Sequence, residues 1–164
     1  MTSKFLRYST MALATAGLAL AGPASAQYRQ KISHNPARCS ASSGAAVKVQ
    51  ISGIESATGT IRVQSYRGTK EDWLEKGRWI NRIELPAKKG SMTVCMPLPG
   101  PGTYGIAVRH DANGNGKTDI SQDGGGMSNN PSINIFNLGK PSYKKTQFVV
   151  GDSVTSIGIT MRYM

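Results

Sequence analysis

The chain has 164 residues and a formal net charge of +11, from 20 lysine and arginine residues against 9 aspartate and glutamate residues. That length fits one domain with its own hydrophobic core. The basic residues are dispersed and aromatic residues do not interleave with them, which argues against a nucleic-acid-binding protein. We favour a solvated basic surface over a specific polyanion site, and an acidic envelope polymer or glycan is the partner that such a charge would attract.

The first 26 residues have the pattern of a secretory signal peptide. Lys4 and Arg7 precede an apolar run from Met11 to Gly22, and the small residues Ala24–Ser25–Ala26 follow. The run is shorter than the roughly 20 residues that span a bilayer, and no later segment reaches that length, so we expect no transmembrane segment in the mature chain. Removing 26 of the 164 residues leaves 138, beginning at Gln27, and predicts a periplasmic or secreted protein.

Two cysteines, Cys39 and Cys95, stand 56 positions apart. An even number of cysteines in an exported protein favours a disulfide, and we prefer that pairing to two free thiols. Closing such a loop would stabilise the fold by roughly 3–4 kcal/mol in the chain-entropy model. Residues 27–44 are polar and contain Pro36 and a serine cluster, so we expect a mobile N-terminal segment that is tethered at Cys39.

From residue 45 onwards apolar and polar residues alternate, which is the period of a half-buried β-strand. Val47, Val49 and Ile51 alternate in this way with Lys48 and Gln50. Segments of this kind are separated by turn residues and lie near positions 47–54, 60–66, 82–86, 91–98, 104–109, 146–150 and 154–164. We predict that residues 45–164 form a single all-β domain, an antiparallel β-sandwich of about seven strands that is immunoglobulin-like or transthyretin-like.

Three local features modify this pattern. The stretch TKEDWLEK is typical of a short helix, with Thr69 as its N-terminal cap and Asp72 three residues further on. Small residues, Gly105 and Ala107, occupy alternate positions of one strand, which predicts a group packed closely over that face. The segment from Asp111 to Tyr143 is a long loop insertion, and loops of that length in compact domains are usually functional or disordered.

The most specific motif is HDANGNGKTD, at residues 110–119. An EF-hand-type calcium loop has oxygen ligands at positions 1, 3, 5, 7, 9 and 12, with glycine at position 6. Counting from Asp111, with Gly116 at position 6, the candidate metal ligands are Asp111, Asn113, Asn115, Lys117 through its carbonyl, Asp119 and, one place late, Asp123. Such a site would bind Ca²⁺ weakly, with a Kd of about 10⁻⁴–10⁻³ M, and we expect no other cofactor. A tight turn built on Asn-Gly steps explains the same residues equally well.

Candidates for a binding surface are His110, Asn129, Asn130 and Tyr143. We expect His110, at the end of a strand, to lie out of phase with the apolar residues of that strand, where it would be a ligand or a general base. A hydrogen-bonded structural histidine is the reading that we prefer. No Ser-His-Asp order, cysteine nucleophile or glutamate pair is spaced for catalysis.

These motifs resemble a family of exported bacterial proteins known as domain-of-unknown-function family 2141. The resemblance covers about residues 45–164 and is carried by Tyr104, His110–Asp119, Gly126–Asn130, Gly139–Tyr143, Phe148 and Tyr163. The chain departs from the family between Asp119 and Gly126, where a longer stretch with a proline and a glutamate is shortened. The resemblance implies the same β fold and an exported protein, and it implies no activity, substrate or partner.

Two functions follow as hypotheses. The first is an exported, noncatalytic binding or envelope-associated module, whose long loop presents the recognition surface and orders around Ca²⁺. The alternative is a hydrolase or lyase that acts on an envelope glycan, with His110 and Asp111 as its acid–base groups. The first is preferred because the sequence offers no second catalytic partner.

Overall fold

The structure is a computed structural model and describes residues 28–119, 121–134, 137 and 139–163. The predicted signal peptide lies outside these residues. The strands are β1 Gln30–Lys31, β2 Ala46–Ile54, β3 Thr60–Arg67, β4 Asn81–Pro86, β5 Gly90–Pro97, β6 Gly102–Asp111, β7 Gly124–Met127, β8 Phe148–Val150, β9 Val154–Thr160 and β10 Arg162–Tyr163. A 3₁₀ helix, Pro36–Cys39, and one helical turn, α1 Tyr143–Thr146, complete the elements. Within the described ranges no helix is long and apolar enough to cross a membrane.

The strands form two sheets. The larger sheet has the order β1-β4-β3-β6-β7-β10, and β8 pairs with β6 beyond the end of β7. The smaller sheet has the order β5-β2-β9. The predicted all-β fold is confirmed. Two pairings, β1 with β4 and β2 with β9, are parallel rather than antiparallel. β1 and β7 are short strands beyond the predicted set, and the last predicted segment, near 154–164, contains two strands, β9 and β10.

The core lies between the inner faces of the two sheets. Val47, Val49 and Ile51 of β2 are buried there, as the period of two predicts. Ile61 and Val63 of β3 supply the opposing layer, and the lysine and glutamine between the β2 positions are exposed. Full burial of one such side chain contributes about 1.5–3 kcal/mol relative to its exposure, so this alternation supplies most of the driving force for folding.

The N-terminal segment, predicted to be mobile, is attached to the domain at several points. Gln30 and Lys31 pair with β4, and the side chain of Asn35 accepts a hydrogen bond from a backbone amide in the first turn of the 3₁₀ helix. The predicted disulfide between Cys39 and Cys95 is present. The segment covers the outer face of β5, and this explains how both faces of that strand are buried around the cysteine.

The predicted helix over residues 69–76 is wrong, because this stretch forms a series of turns. Asp72, the acidic residue of the predicted cap, is buried and accepts a 2.9 Å hydrogen bond from the Tyr28 hydroxyl instead of capping a helix. The next residue, Trp73, packs its ring over Gly105, where a Cβ atom would approach the ring to 2.6 Å. The close packing predicted from the small residues of β6 is therefore confirmed.

Candidate functional site

The loop after β6 brings the predicted calcium ligands together. One oxygen of Asp111, Oδ2, accepts hydrogen bonds from the Gly116 amide at 2.9 Å and from Arg109 Nη2 at 3.2 Å. The other oxygen, Oδ1, is buried and has no hydrogen-bond partner among the described residues. Asp123 closes the loop from its far end by accepting from the amides of Ala112 and Asp119.

The remaining predicted ligands bond mainly to each other. Asn113 and Asn115 both donate from Nδ2 to Asp119 Oδ2, at 2.9 and 2.5 Å, and their Oδ1 atoms accept from backbone amides, that of Lys117 among them. The hydrogen bonds from Asn113 and then Asn115 hold the pKa of Asp119 below its usual value. In the described part of the chain no three His, Cys, Asp or Glu side chains are grouped to hold a metal. The described loop residues are thus hydrogen-bonded to one another, and one buried carboxylate oxygen, Oδ1 of Asp111, has no partner among the described residues.

His110 is fully buried between the sheets, so the expectation that it lies out of phase with Tyr104, Ile106 and Val108 is wrong. Even-numbered residues of β6 all face the core, and His110 continues that series. Its Nε2 lies 2.7 Å from the Thr58 carbonyl, which can only accept, so Nε2 carries the proton. Nδ1 lies 2.7 Å from the Tyr163 hydroxyl. Both ring nitrogens are used, and the histidine has the structural role that the sequence favoured.

The other predicted binding residues also serve the fold. Asn129 and Asn130 have positive φ angles, and their side chains bond backbone groups of Gln147, Gly158 and Thr160. These contacts attach the long loop to neighbouring elements. Tyr143 packs beside the buried cluster of Tyr66, Trp73 and Met127. The four residues expected to form one recognition surface are therefore distributed among different packing sites.

A groove with a volume of about 690 Å³ lies on the outer face of the large sheet, and we call it the outer groove. Its walls come from residues 74–79, from the loop after β6, and from Ile133, Gly139 and Lys140. Seven basic and two acidic side chains line it: Arg29, Arg62, Lys76, Arg82, Arg109, Lys140 and Arg162, with Glu75 and Asp123. A volume of this size is within the range of small-molecule sites.

Strand pairing aligns part of this charge in one row, which we call the arginine row. Arg62 of β3 lies directly opposite Arg109 of β6, Arg109 lies opposite Gly125 of β7, and Gly125 lies opposite Arg162 of β10. Directly opposed side chains in a sheet have Cβ atoms about 4.5–5.5 Å apart, and like charges so placed are destabilising. At the other end of the row, Glu84 of β4 lies opposite Arg62.

Glu84 is the main counter-charge of the row. It accepts from Arg62 Nε at 2.7 Å and from Lys31 Nζ at 2.6 Å, and Arg82 Nη1 lies 3.9 Å away. Burial alone would raise the pKa of Glu84, but the hydrogen bonds from Lys31 and Arg62 bring it below the usual value. Burial, followed by repulsion from Arg62, lowers the pKa of both Arg82 and Arg109. The row therefore holds more positive charge than its protein partners offset.

The neighbouring row of the groove is apolar on β6 and β7, and it continues on β3 and β4 with the polar residues Gln64 and Arg82. Ala107 of β6 lies opposite Met127 of β7, and both line the groove with Leu74, Trp79 and Ile133. Arg82 stacks on one face of Trp79, 4.1 Å from the ring centroid. Burial, partly offset by Arg82 and Arg62, raises the pKa of Tyr66 to about 12, so this phenol stays protonated beneath the groove. The groove thus joins a cationic half to an apolar half.

The described residues that line the outer groove include no histidine, cysteine or serine, and its two carboxylates belong to different walls. The sequence carries a signal for this site, because Arg62 and Arg109 alternate with the core residues of their strands. The signal is incomplete, since only the pairing of four separate strands brings these arginines into one row.

Residues 49–158 match the model of a family described as an uncharacterized protein conserved in bacteria, DUF2141. No curated protein matches the chain, and no solved structure matches it.

Proposed function

This chain belongs to the uncharacterized bacterial family DUF2141, and we propose that it is an exported, noncatalytic binding module whose outer groove takes an anionic ligand. The observation that carries the proposal is the charge of one groove, where seven basic side chains face two acidic ones. A concave surface of one sign focuses the electrostatic potential and raises the local concentration of oppositely charged ligands. An acidic polymer or glycan of the bacterial envelope is the ligand class that the sequence suggested.

The retained repulsion in the arginine row supports binding over a purely structural role. Arg62 and Arg109 face each other across paired strands, and neither strand needs an arginine there for its inner face. The Nε atoms of Arg82 and Arg109 are buried and donate to no described residue. A ligand that carries anionic oxygens would relieve the repulsion between the arginines.

The enzymatic alternative has no structural observation in its favour. Its two groups, His110 and Asp111, are neighbours on β6, so their side chains leave opposite faces of the sheet. His110 is enclosed by Thr58 and Tyr163, and no substrate reaches it without opening the core. We therefore retain only the binding function.

A test of the binding function uses polygalacturonate as the acidic polymer and the mature chain from Gln27. The double variant Lys140→Gln/Arg162→Gln removes two exposed cations at the groove. We expect affinity at low salt to fall about tenfold, since two exposed charge contacts are worth about 0.7 kcal/mol each. The matched control, Lys144→Gln/Lys145→Gln, removes the same charge outside the groove and should change affinity little. Equal losses in both variants would contradict a groove site.

Calcium binding by the loop after β6 is a second candidate function. It rests on the buried Oδ1 of Asp111, which has no partner among the described residues, while Oδ2 of the same carboxylate accepts from the Gly116 amide. If Ca²⁺ binds only the folded chain, thermal unfolding should shift upwards with Ca²⁺, by the free energy that one saturating ligand adds. We expect a shift of a few degrees near 10 times a Kd of about 10⁻³ M, and its loss in Asp111→Asn. An equal shift in that variant would refute the site.

Export itself is tested at the N-terminus. When the full chain is produced in a bacterium with a secretion pathway, the protein in the periplasmic or extracellular fraction should begin at Gln27. Intact-mass measurement after fractionation gives the cleavage position. A full-length product confined to the cytoplasmic fraction would overturn this part of the proposal.

A further inference from the structure

We infer that the ligand of the outer groove is an amphiphilic anion, with its oxyanion headgroup over Gly125 and a single hydrocarbon chain along the apolar half. This inference rests on the proposed binding function and narrows its ligand from any acidic group to a single-chain acidic amphiphile. Its basis is the division of one groove into a cationic row and an apolar row that lie side by side on β6 and β7.

The headgroup position follows from the glycine in the arginine row. Gly125 faces outwards, and a Cβ built on it would meet only Ile133 Cδ1, at 4.0 Å. Its two cross-strand neighbours are Arg109 and Arg162. A side chain is therefore missing from the row between two arginines, and an oxyanion placed there has guanidinium groups on both sides. Arginine binds planar and tetrahedral oxyanions through paired N–H donors.

Arg62 and Arg162 supply most of the N–H donors that no described residue uses, because the protein already engages most of those of Arg109. Arg62, the next residue in the row, bonds Glu84 through Nε, and its side chain is 19% exposed towards the groove. Arg109 is fixed by three hydrogen bonds to the loop, which involve Asp111, Gly116 and Thr118. Because these bonds hold the Arg109 guanidinium in place, the cationic wall is organised before a ligand arrives, and less entropy is lost on binding.

The position of the ligand's hydrocarbon chain follows from the row next to the arginine row. Ala107 and Met127 lie two positions along their strands from the arginine row, on the same face and opposite each other, and Leu74, Trp79 and Ile133 line the same groove. These side chains offer a hydrocarbon chain a surface that excludes water. A glycan would instead require donors and acceptors for its hydroxyl groups, and in this row Gln64 and Arg82 offer them at the β3 and β4 end, away from Met127.

The test is a titration of the mature protein with n-alkyl phosphates from butyl to decyl, below their micelle concentrations, followed by calorimetry. Kd should fall with chain length, by up to about fourfold for each methylene group that the groove buries. Decanol, which lacks the headgroup, should bind far more weakly than decyl phosphate. A Kd that does not depend on chain length would overturn the amphiphile, and binding of polygalacturonate in the same experiment would leave the broader function in place.

Two variants test where the headgroup binds. Gly125→Val fills the gap in the arginine row with a residue that strands favour, and it should weaken decyl phosphate binding at least tenfold. Arg162→Gln, at an exposed position, is a second variant that leaves the row's backbone unchanged and should weaken binding severalfold. Thermal unfolding of both variants checks their folding. Unchanged Kd values in folded Gly125→Val and Arg162→Gln would exclude this headgroup position, and no binding by any anion would refute the proposed function as well.

Discussion

The two faces of the large sheet differ most sharply on β7, where three consecutive glycines have different surroundings. On the inner face, Gly124 lies against the Tyr163 ring, and Gly126 would place a Cβ 2.6 Å from Ile159 Cγ2. On the outer face, Gly125 is open towards the groove. One short strand therefore contributes close packing to the core with two of its residues and space for a ligand with the third.

The same division holds on β6. Tyr104, Ile106, Val108 and His110 are buried between the sheets, whereas Ala107 and Arg109 line the outer groove. Side chains alternate between the two faces of a strand. The residues of the inner face can therefore stabilise the fold, while those of the outer face can carry charges that the fold does not need. Substitutions one residue apart should therefore separate effects on folding from effects on binding.

The largest effect is expected for Gly126→Ala. The added Cβ would meet Ile159, the Thr160 carbonyl and the sulfur of Met161, all within 3.2 Å, so the sheets would have to move apart locally. We expect the free energy of unfolding in urea to fall by about 2–3 kcal/mol. The matched variant Gly125→Ala should stay within about 0.5 kcal/mol of the natural chain. Equal losses in the two variants would contradict the contrast between the faces.

A smaller loss of stability is expected for Tyr163→Phe. Burial raises the pKa of Tyr163, so the hydroxyl is protonated at neutral pH and can donate to Nδ1 of His110. Its removal leaves that buried nitrogen without a partner and takes an acceptor from the Glu55 amide. We expect about 1–2 kcal/mol less stability in urea and an unchanged affinity for decyl phosphate. A change in affinity with stability intact would show that the inner face takes part in binding.

The smallest effect on stability, and the only one dependent on pH, is expected for Glu84→Gln. Because the folded-state pKa of Glu84 is lowered, its carboxylate stabilises the fold above its ordinary pKa near 4.5, and this contribution is lost as the pH falls through the folded-state pKa. The variant should lose about 1 kcal/mol or less at neutral pH and nothing at strongly acidic pH. Urea unfolding at both pH values measures this.

Glu84→Gln also tests the outer face of the sheet, through its effect on ligand affinity. Without the carboxylate, Arg62 and Arg82 lose their shared counter-charge, so decyl phosphate should bind Glu84→Gln more tightly than it binds the natural chain. A loss of stability that is the same at every pH, together with unchanged affinity, would show that Glu84 does not act through its charge.

The inner face could be predicted from the sequence because each strand carries its own pattern. The alternation of Val47, Val49 and Ile51 predicts their burial without knowledge of the partner strands. The cysteine pairing was also accessible, since only two cysteines occur in the chain. The misplacement of His110 was avoidable, because its even number puts it in phase with Ile106 and Val108.

The outer groove could not be predicted in the same way. Arg62, Arg109 and Arg162 are dispersed along the chain, and their proximity exists only in the register of β3, β6, β7 and β10. The helix predicted at residues 69–76 failed for a related reason, since Asp72 is bonded by Tyr28, which is 44 positions away in the sequence. Local patterns specify which face is buried, and long-range pairing decides what the other face contains.

The small sheet has a consequence for the order of folding. Its central strand, β2, pairs on one edge with β9, and residues that bond across this edge, such as Ser52 and Thr160, are 108 positions apart. Contacts so distant in sequence form slowly because a long loop must close first. Until β9 is in place, β2 presents a free edge that can pair with a second molecule. Truncation before Val154 should therefore make the domain aggregate or exchange strands.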